Sequence, residues 1–153
     1  MQKTVLIGLG NLLMTDEGIG VRIIQELVRT NRVPDSVEAL DLGPGGLQVL
    51  HAFDGKDKAI LVDCAFMGLE SGTLRKFAPE DVRTAKVRAR QSLHEGDLFE
   101  TLELAKGLGK CPAEVVLIAI EPSVVELGDS LSELLTAKFE SYVTAVAEEL
   151  QDA

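Results

Sequence analysis

The side chains best suited to chemistry in this sequence are few and widely spaced. An acidic pair, Asp16-Glu17, lies inside a glycine-bearing stretch that runs from Gly8 to Val21. Asp41 and Asp63-Cys64 follow, and the two histidines are His51 and His94. Carboxylates and an imidazole suit a first-row divalent ion, and a set of three leaves coordination positions open for a substrate. The same acids, Asp16, Asp41 and Asp63, could also activate a water without a metal, as paired carboxylates do. Each residue has a plainer use. Asp16 and Glu17 favour the positive end of a helix, Asp63 ends a strand, and His94 can be a cap or a surface residue.

The elements that would position these groups follow from hydrophobic period. Thr4–Ile7 is a compact apolar run ended by Gly8 and predicts a short buried strand. Ile19, Ile23, Ile24, Leu27 and Val28 recur at helical spacing, so a helix is expected from about Glu17 to Thr30, with Thr15 or Asp16 as its cap. Val37–Leu40 and Ala59–Val62 predict two further strands, each closed by an aspartate, Asp41 and Asp63. A short helix between them begins at Leu47, and His51 lies in it, beside apolar residues that point to a structural role. Thr73–Phe77 alternates imperfectly and suits an edge strand with one wet face. Pro79–Arg90 is polar and irregular. A helix is expected from Ser92 to about Lys106, then a very hydrophobic, central strand at Val115–Ile120. The last helix carries Leu131, Leu134, Leu135, Phe139, Val143, Val146 and Leu150 at spacings of three and four.

Alternating strands and helices predict a single α/β domain over residues 1–153, with helices on both faces of a mostly parallel sheet. If strands two and three both flank strand one, the order reverses beside strand one and a crevice opens at the carboxyl ends of strands one and three. The glycine-bearing loop leaves the first of these and Asp63 ends the other, so topology alone brings Asp16 or Glu17 near Asp63. His94 starts a helix on the same side of the sheet.

A dinucleotide is the competing ligand. Gly8-Leu9-Gly10 resembles the start of a Gly-x-Gly-x-x-Gly fingerprint, and Asp41 stands where a ribose-binding acid would. The third glycine position is Leu13, however, and an acidic pair at the helix start would repel a pyrophosphate. No Gly-Lys-Ser/Thr phosphate loop and no Gly-x-Ser-x-Gly elbow occurs. Cys64, at a strand end, is expected to be buried and inert.

Composition narrows the partners. The chain has 153 residues and a net charge of −10, which argues against nucleic acid. A local basic cluster, Arg75, Lys76, Arg83, Lys86, Arg88 and Arg90, is either a solvated surface or a dock for an acidic partner. The sequence carries no secretory signal pattern and no apolar run long enough to span a membrane. Its two cysteines are not in a metal or redox spacing. A cytoplasmic monomer is the expectation.

Taken together, Gly8-x-Gly10-Asn11 with Asp16-Glu17-Gly18-x-Gly20-Val21, Asp41-x-Gly43, Val62-Asp63-Cys64-Ala65, His94 and Glu121-Pro122 resemble the motif set of the NiFe-hydrogenase maturation endopeptidases. The resemblance implies a three-layer α/β/α sandwich on a five-stranded, mostly parallel twisted sheet of order 2-1-3-5-4, with Thr73–Phe77 as an antiparallel strand. It implies removal of a C-terminal extension from the precursor of the hydrogenase large subunit after nickel insertion. Glu17, Asp63 and His94 would contact nickel presented by that precursor, and the metal would leave with the product. Asp41 is the remaining candidate for a part in the chemistry, while Asp16 would cap its helix and orient Glu17. A nickel-binding chaperone or sensor with the same ligands and no hydrolysis is the alternative from another class.

Overall fold

The structure, a computed structural model, describes residues 2–81 and 93–152; over residues 93–97 and 99 it describes the backbone alone. Five strands form one sheet: β1 (Thr4–Gly8), β2 (Val37–Asp41), β3 (Lys58–Cys64), β4 (Leu74–Phe77) and β5 (Glu114–Ile120). Their order is β2-β1-β3-β5-β4, and the β4–β5 pair alone runs antiparallel. The expected three-layer sandwich, strand order and antiparallel edge strand are all borne out. The expectation that the Val115–Ile120 strand is central is not. β3 holds the centre, and β5 lies between it and the edge.

Among the described residues four α-helices cover the two faces: α1 (Ile19–Arg29), α2 (Leu47–Ala52), α3 (Leu93–Gly107) and α4 (Glu133–Gln151). Strand side chains alternate between faces, so each strand feeds two cores. Leu6, Ile60, Val62, Ile118 and Ile120 pack with Ile23, Ile24 and Leu27 of α1 and with Val143, Val146 and Leu150 of α4. On the other face Val5, Ile7, Leu61 and Leu117 pack with Val49 of α2, Phe53, and Leu98 and Leu102 of α3. Both faces are buried by helices, which is why the β3 residues are buried throughout and read as a continuous apolar run.

Two element ends differ from the sequence expectation. Asp63 does not close β3. The strand continues through it because β5 reaches Ile120 and offers partners to the end, Asp63 to Ala119 and Cys64 to Ile120. The helix after β1 begins as a 3-10 turn, Thr15–Gly18, and neither Thr15 nor Asp16 caps it; no side chain caps the turn or α1. The expected irregular stretch and most of the basic cluster, Arg83, Lys86, Arg88 and Arg90, lie outside the described residues. Arg75 and Lys76 are exposed on β4, and Lys76 is ion-paired with Glu149 at 2.8 Å.

Candidate functional site

The glycines of the first motif set the site's backbone. Gly20 sits where a Cβ would stand 2.2 Å from the Val62 carbonyl and 2.6 Å from that of Leu9. A Cβ on Gly8 would meet Ile24 Cγ1 at 2.5 Å. These two glycines let the start of α1 lie directly on the ends of β1 and β3. Gly10 has φ +135°, a region open to glycine, and a Cβ there would fall 2.0 Å from the carbonyl oxygen of Glu17. The motif that looks like half of a phosphate-binding fingerprint therefore serves close packing, and it presses the loop onto the backbone that carries Glu17.

Sheet register then sets the acids. Gly8 pairs with Asp41 on one flank and with Val62 on the other. Leu9 N–H continues to the Val62 carbonyl at 2.9 Å, and Gly10 N–H to the Gly43 carbonyl at 2.7 Å. The switch point thus brings the glycine loop to the ends of both neighbouring strands. Asp63 lies one residue beyond Val62, 6% exposed, with Oδ1 accepting the Cys64 N–H at 2.7 Å and Oδ2 buried. Strand alternation puts it on the face with Leu61, the face covered by α2 and α3. Asp41 is exposed and accepts a hydrogen bond from Gln25 Nε2 at 3.3 Å. Two strand spacings separate β2 from β3, roughly 10 Å, so Asp41 and Asp63 do not form a contact pair.

Asp16 has a role that sequence spacing does not disclose. It is fully buried, and its carboxylate accepts three backbone N–H groups: Ser123 at 2.9 Å and Val124 at 2.8 Å on Oδ2, and Ser132 at 2.7 Å on Oδ1. Its own N–H donates to the Val124 carbonyl at 3.2 Å. Thr15 works alongside it. Thr15 Oγ1 donates to the Val124 carbonyl at 2.8 Å and accepts the Glu126 N–H at 3.0 Å, which holds the residue in a left-handed backbone, φ 46°. The acidic pair is therefore split. Asp16 fastens the turn to the segment between β5 and α4, and the adjacent Glu17, half-buried, stands at the site.

Glu121, at the end of β5, is a second buried acid held by amides. Its Oε1 accepts the N–H of Met67 at 2.7 Å and of Leu69 at 3.2 Å. The Glu-Pro dipeptide after the last strand is the only sign of it in the sequence. Cys64 is 3% exposed, and burial first, then the charges of Asp63, Glu17, Asp16 and Glu121, push its thiol far up. This removes Cys64 as a thiolate nucleophile, in line with the sequence expectation.

His94 belongs to the first turn of α3, and its side chain lies outside the described residues. Among the described residues no three His, Cys, Asp or Glu side chains are set to hold a metal ion. The donor chemistry still fits one. Glu17, in the turn after β1, and Asp63, on the neighbouring β3, would supply carboxylate oxygens, while Asp16 and Glu121 accept backbone amides. His51 is exposed on the last turn of α2, outside both cores.

Fold and site together define a doubly covered, mostly parallel α/β protein that gathers acidic side chains at the carboxyl edge of its sheet. A family model described as hydrogenase maturation protease matches residues 21–149. The hydrogenase expression/formation protein HupD of Bradyrhizobium diazoefficiens is 36% identical over 124 residues, covering 81% of this chain and 65% of that protein. HoxM of Azotobacter vinelandii, a hydrogenase expression/formation protein, is 34% identical over 149 residues, 97% of this chain and 72% of that one. The hydrogenase maturating endopeptidase HybD from E. coli superposes with a TM-score of 0.87 at 28% identity, covering 99% of this chain and 93% of that structure. The chain belongs to the hydrogenase maturation protease family. It spans about two thirds of the length of the HupD relative, and no described helix is long and apolar enough to cross a membrane.

Proposed function

We propose that this protein is the endopeptidase that removes the C-terminal extension of a nickel-loaded NiFe-hydrogenase large-subunit precursor. Glu17, Asp63 and His94 read the nickel that the precursor presents. The observation that carries this reading is the placing of two acids at the switch point of the sheet. Glu17 lies in the turn that follows β1 and Asp63 lies on β3, the two strands that are neighbours where the sheet order reverses. The activity for which the relatives are named supports the peptidase reading over a chaperone.

Two carboxylates and one imidazole make a borderline-hard site, a weak trap beside the precursor's thiolates, so they can recognise the metal without removing it. Completing the coordination of a substrate-held ion fixes the neighbouring chain relative to the protein, and such positioning supplies much of the rate advantage in a hydrolysis. Asp41, exposed and two strands from Asp63, remains the candidate base for a water that approaches from the β2 side. Reaction in the cytoplasm, by a monomer, completes the proposal.

The test is incubation with nickel-loaded precursor, followed by mass spectrometry. Wild-type protein is expected to shorten the precursor. Glu17→Gln, Asp63→Asn and His94→Ala should each slow cleavage by at least about 100-fold, above the loss typical of residues that only support metal ligands. A precursor whose mass never changes would favour the chaperone. Full cleavage by any one variant removes that residue from the reading.

A further inference from the structure

The segment that leaves Asp63 is fixed with unusual care. Residues 65–72 connect the centre of the sheet to its antiparallel edge, and four of them are tied down. Ala65 N–H donates to the Ile120 carbonyl at 3.0 Å and Gly72 N–H to the Glu121 carbonyl at 2.8 Å. Between these, Met67 and Leu69 donate to Glu121 Oε1. The Gly72 carbonyl in turn accepts the buried Tyr142 hydroxyl at 2.7 Å. Glu121 holds this segment with side chain and backbone at once, since its own N–H donates to the Thr73 carbonyl at 2.9 Å.

A surface connector needs no buried carboxylate to hold it. Burying a carboxylate is costly unless hydrogen bonds satisfy it, and those it makes here go to backbone amides of one segment. What Glu121 orders is the backbone immediately beyond Asp63 and Cys64.

We propose that Glu121 is a positioning residue for the nickel-reading site: by holding the amides of Met67 and Leu69 it keeps the strand end at Asp63 in the orientation that presents its carboxylate to the ion. This rests on the reading of Glu17, Asp63 and His94 given above. The geometry assigns the role to reach rather than to charge, because one oxygen, Oε1, takes both amides. A glutamine can reproduce that oxygen, and an aspartate cannot span the distance.

The test titrates nickel chloride into the full chain by calorimetry and measures kcat and KM on nickel-loaded precursor. The proteins are wild type, Glu121→Gln, Glu121→Asp, Glu121→Ala and Asp63→Asn, each shown by circular dichroism to be folded at the assay temperature. Glu121→Gln should stay within about threefold of wild type in nickel affinity and kcat. Glu121→Ala and Glu121→Asp should each lose about tenfold or more in both, the size typical of a lost supporting contact at a metal site. If Glu121→Ala does not fold, Glu121→Asp against Glu121→Gln carries the comparison. A folded Glu121→Asp or Glu121→Ala that binds nickel like wild type overturns the proposal, as does a Glu121→Gln that fails as badly as they do. If Asp63→Asn is impaired while the shortened variants are normal, the role of Glu121 falls and the site reading stands. If Asp63→Asn is also normal, the site reading itself falls and takes this role with it.

Discussion

The carboxylate of Asp16 meets the backbone N–H of Ser132 at 2.7 Å across 116 residues of chain. Ser132 is also the N-cap of α4, its Oγ accepting the Leu135 N–H at 3.3 Å. One buried acid thus joins the turn that carries Glu17 to the start of the longest helix. Replacing Asp16 by Ala strands three amides, each costing about 1–3 kcal/mol when buried without an acceptor. Against a typical total stability of about 5–15 kcal/mol this leaves little margin. Asp16→Asn keeps one oxygen and turns an N–H donor toward an amide, so a loss of about 2 kcal/mol is expected. Urea unfolding measures both, and a change below about 0.5 kcal/mol for Asp16→Ala would contradict the clamp.

Gly10 makes the complementary prediction. A Cβ at this residue would stand 2.0 Å from the Glu17 carbonyl, and its φ of +135° disfavours any side chain. Gly10→Ala should cost about 3 kcal/mol, the upper range for overpacking, and should displace Glu17. Gly46, whose Cβ would meet nothing within 4 Å, serves as the control for backbone strain alone. Equal stability losses for Gly10→Ala and Gly46→Ala would mean that the contact with Glu17 is not what matters.

Tyr142 is the single tyrosine, and the chain has no tryptophan, so its ionisation can be followed without overlap from other aromatic chromophores. Burial, then the charge of Asp16, pushes its hydroxyl up to about 12. The unfolded phenol titrates near 10. A raised value in the folded state means that this contribution to stability is fully present below about pH 10 and is lost as pH rises toward 12. Near-ultraviolet titration should therefore find the tyrosinate midpoint close to 12, and lower in a folded Asp16→Asn. A midpoint near 10, the ordinary phenol value, in the native protein would show that the hydroxyl is not buried beside Asp16.

The opposite end of the sheet carries a buried ion cluster. Glu149 faces Lys58 at 3.3 Å and Lys76 at 2.8 Å, and Lys58 is 2% exposed. Burial pushes the Glu149 carboxyl up, but hydrogen bonds and charge from Lys76 and Lys58 outweigh it and leave the group below its ordinary value. A lowered value means stability that is present above about pH 4.5 and lost as pH falls through the folded-state value. Glu149→Gln should flatten that acid limb. It should also cost about 3 kcal/mol at neutral pH, because Lys58 would keep only Glu114, 3.6 Å away and half in solvent. Identical acid profiles for wild type and Glu149→Gln would dismiss the cluster as a source of pH dependence.

Much of this protein is legible in its amino-acid order. Hydrophobic period is a local property, so the strands, the helices and the α/β class follow from it, and the switch point follows once strands two and three are taken to flank strand one. With that order the glycine loop and Asp63 fall on neighbouring strand ends, and the motif set points to the family. The tertiary structure decided what depends on residues far apart in the chain. It extended β3 through Asp63, because β5 supplies partners as far as Ile120. It turned Asp16 from an expected helix cap into a clamp on a segment more than 100 residues away, made Glu121 the holder of the 65–72 segment, and buried Lys58 beside Glu149. Sequence spacing reports what a residue does along its own helix or strand. Which distant amide a buried carboxylate must satisfy is set only when the layers close and water is excluded from both.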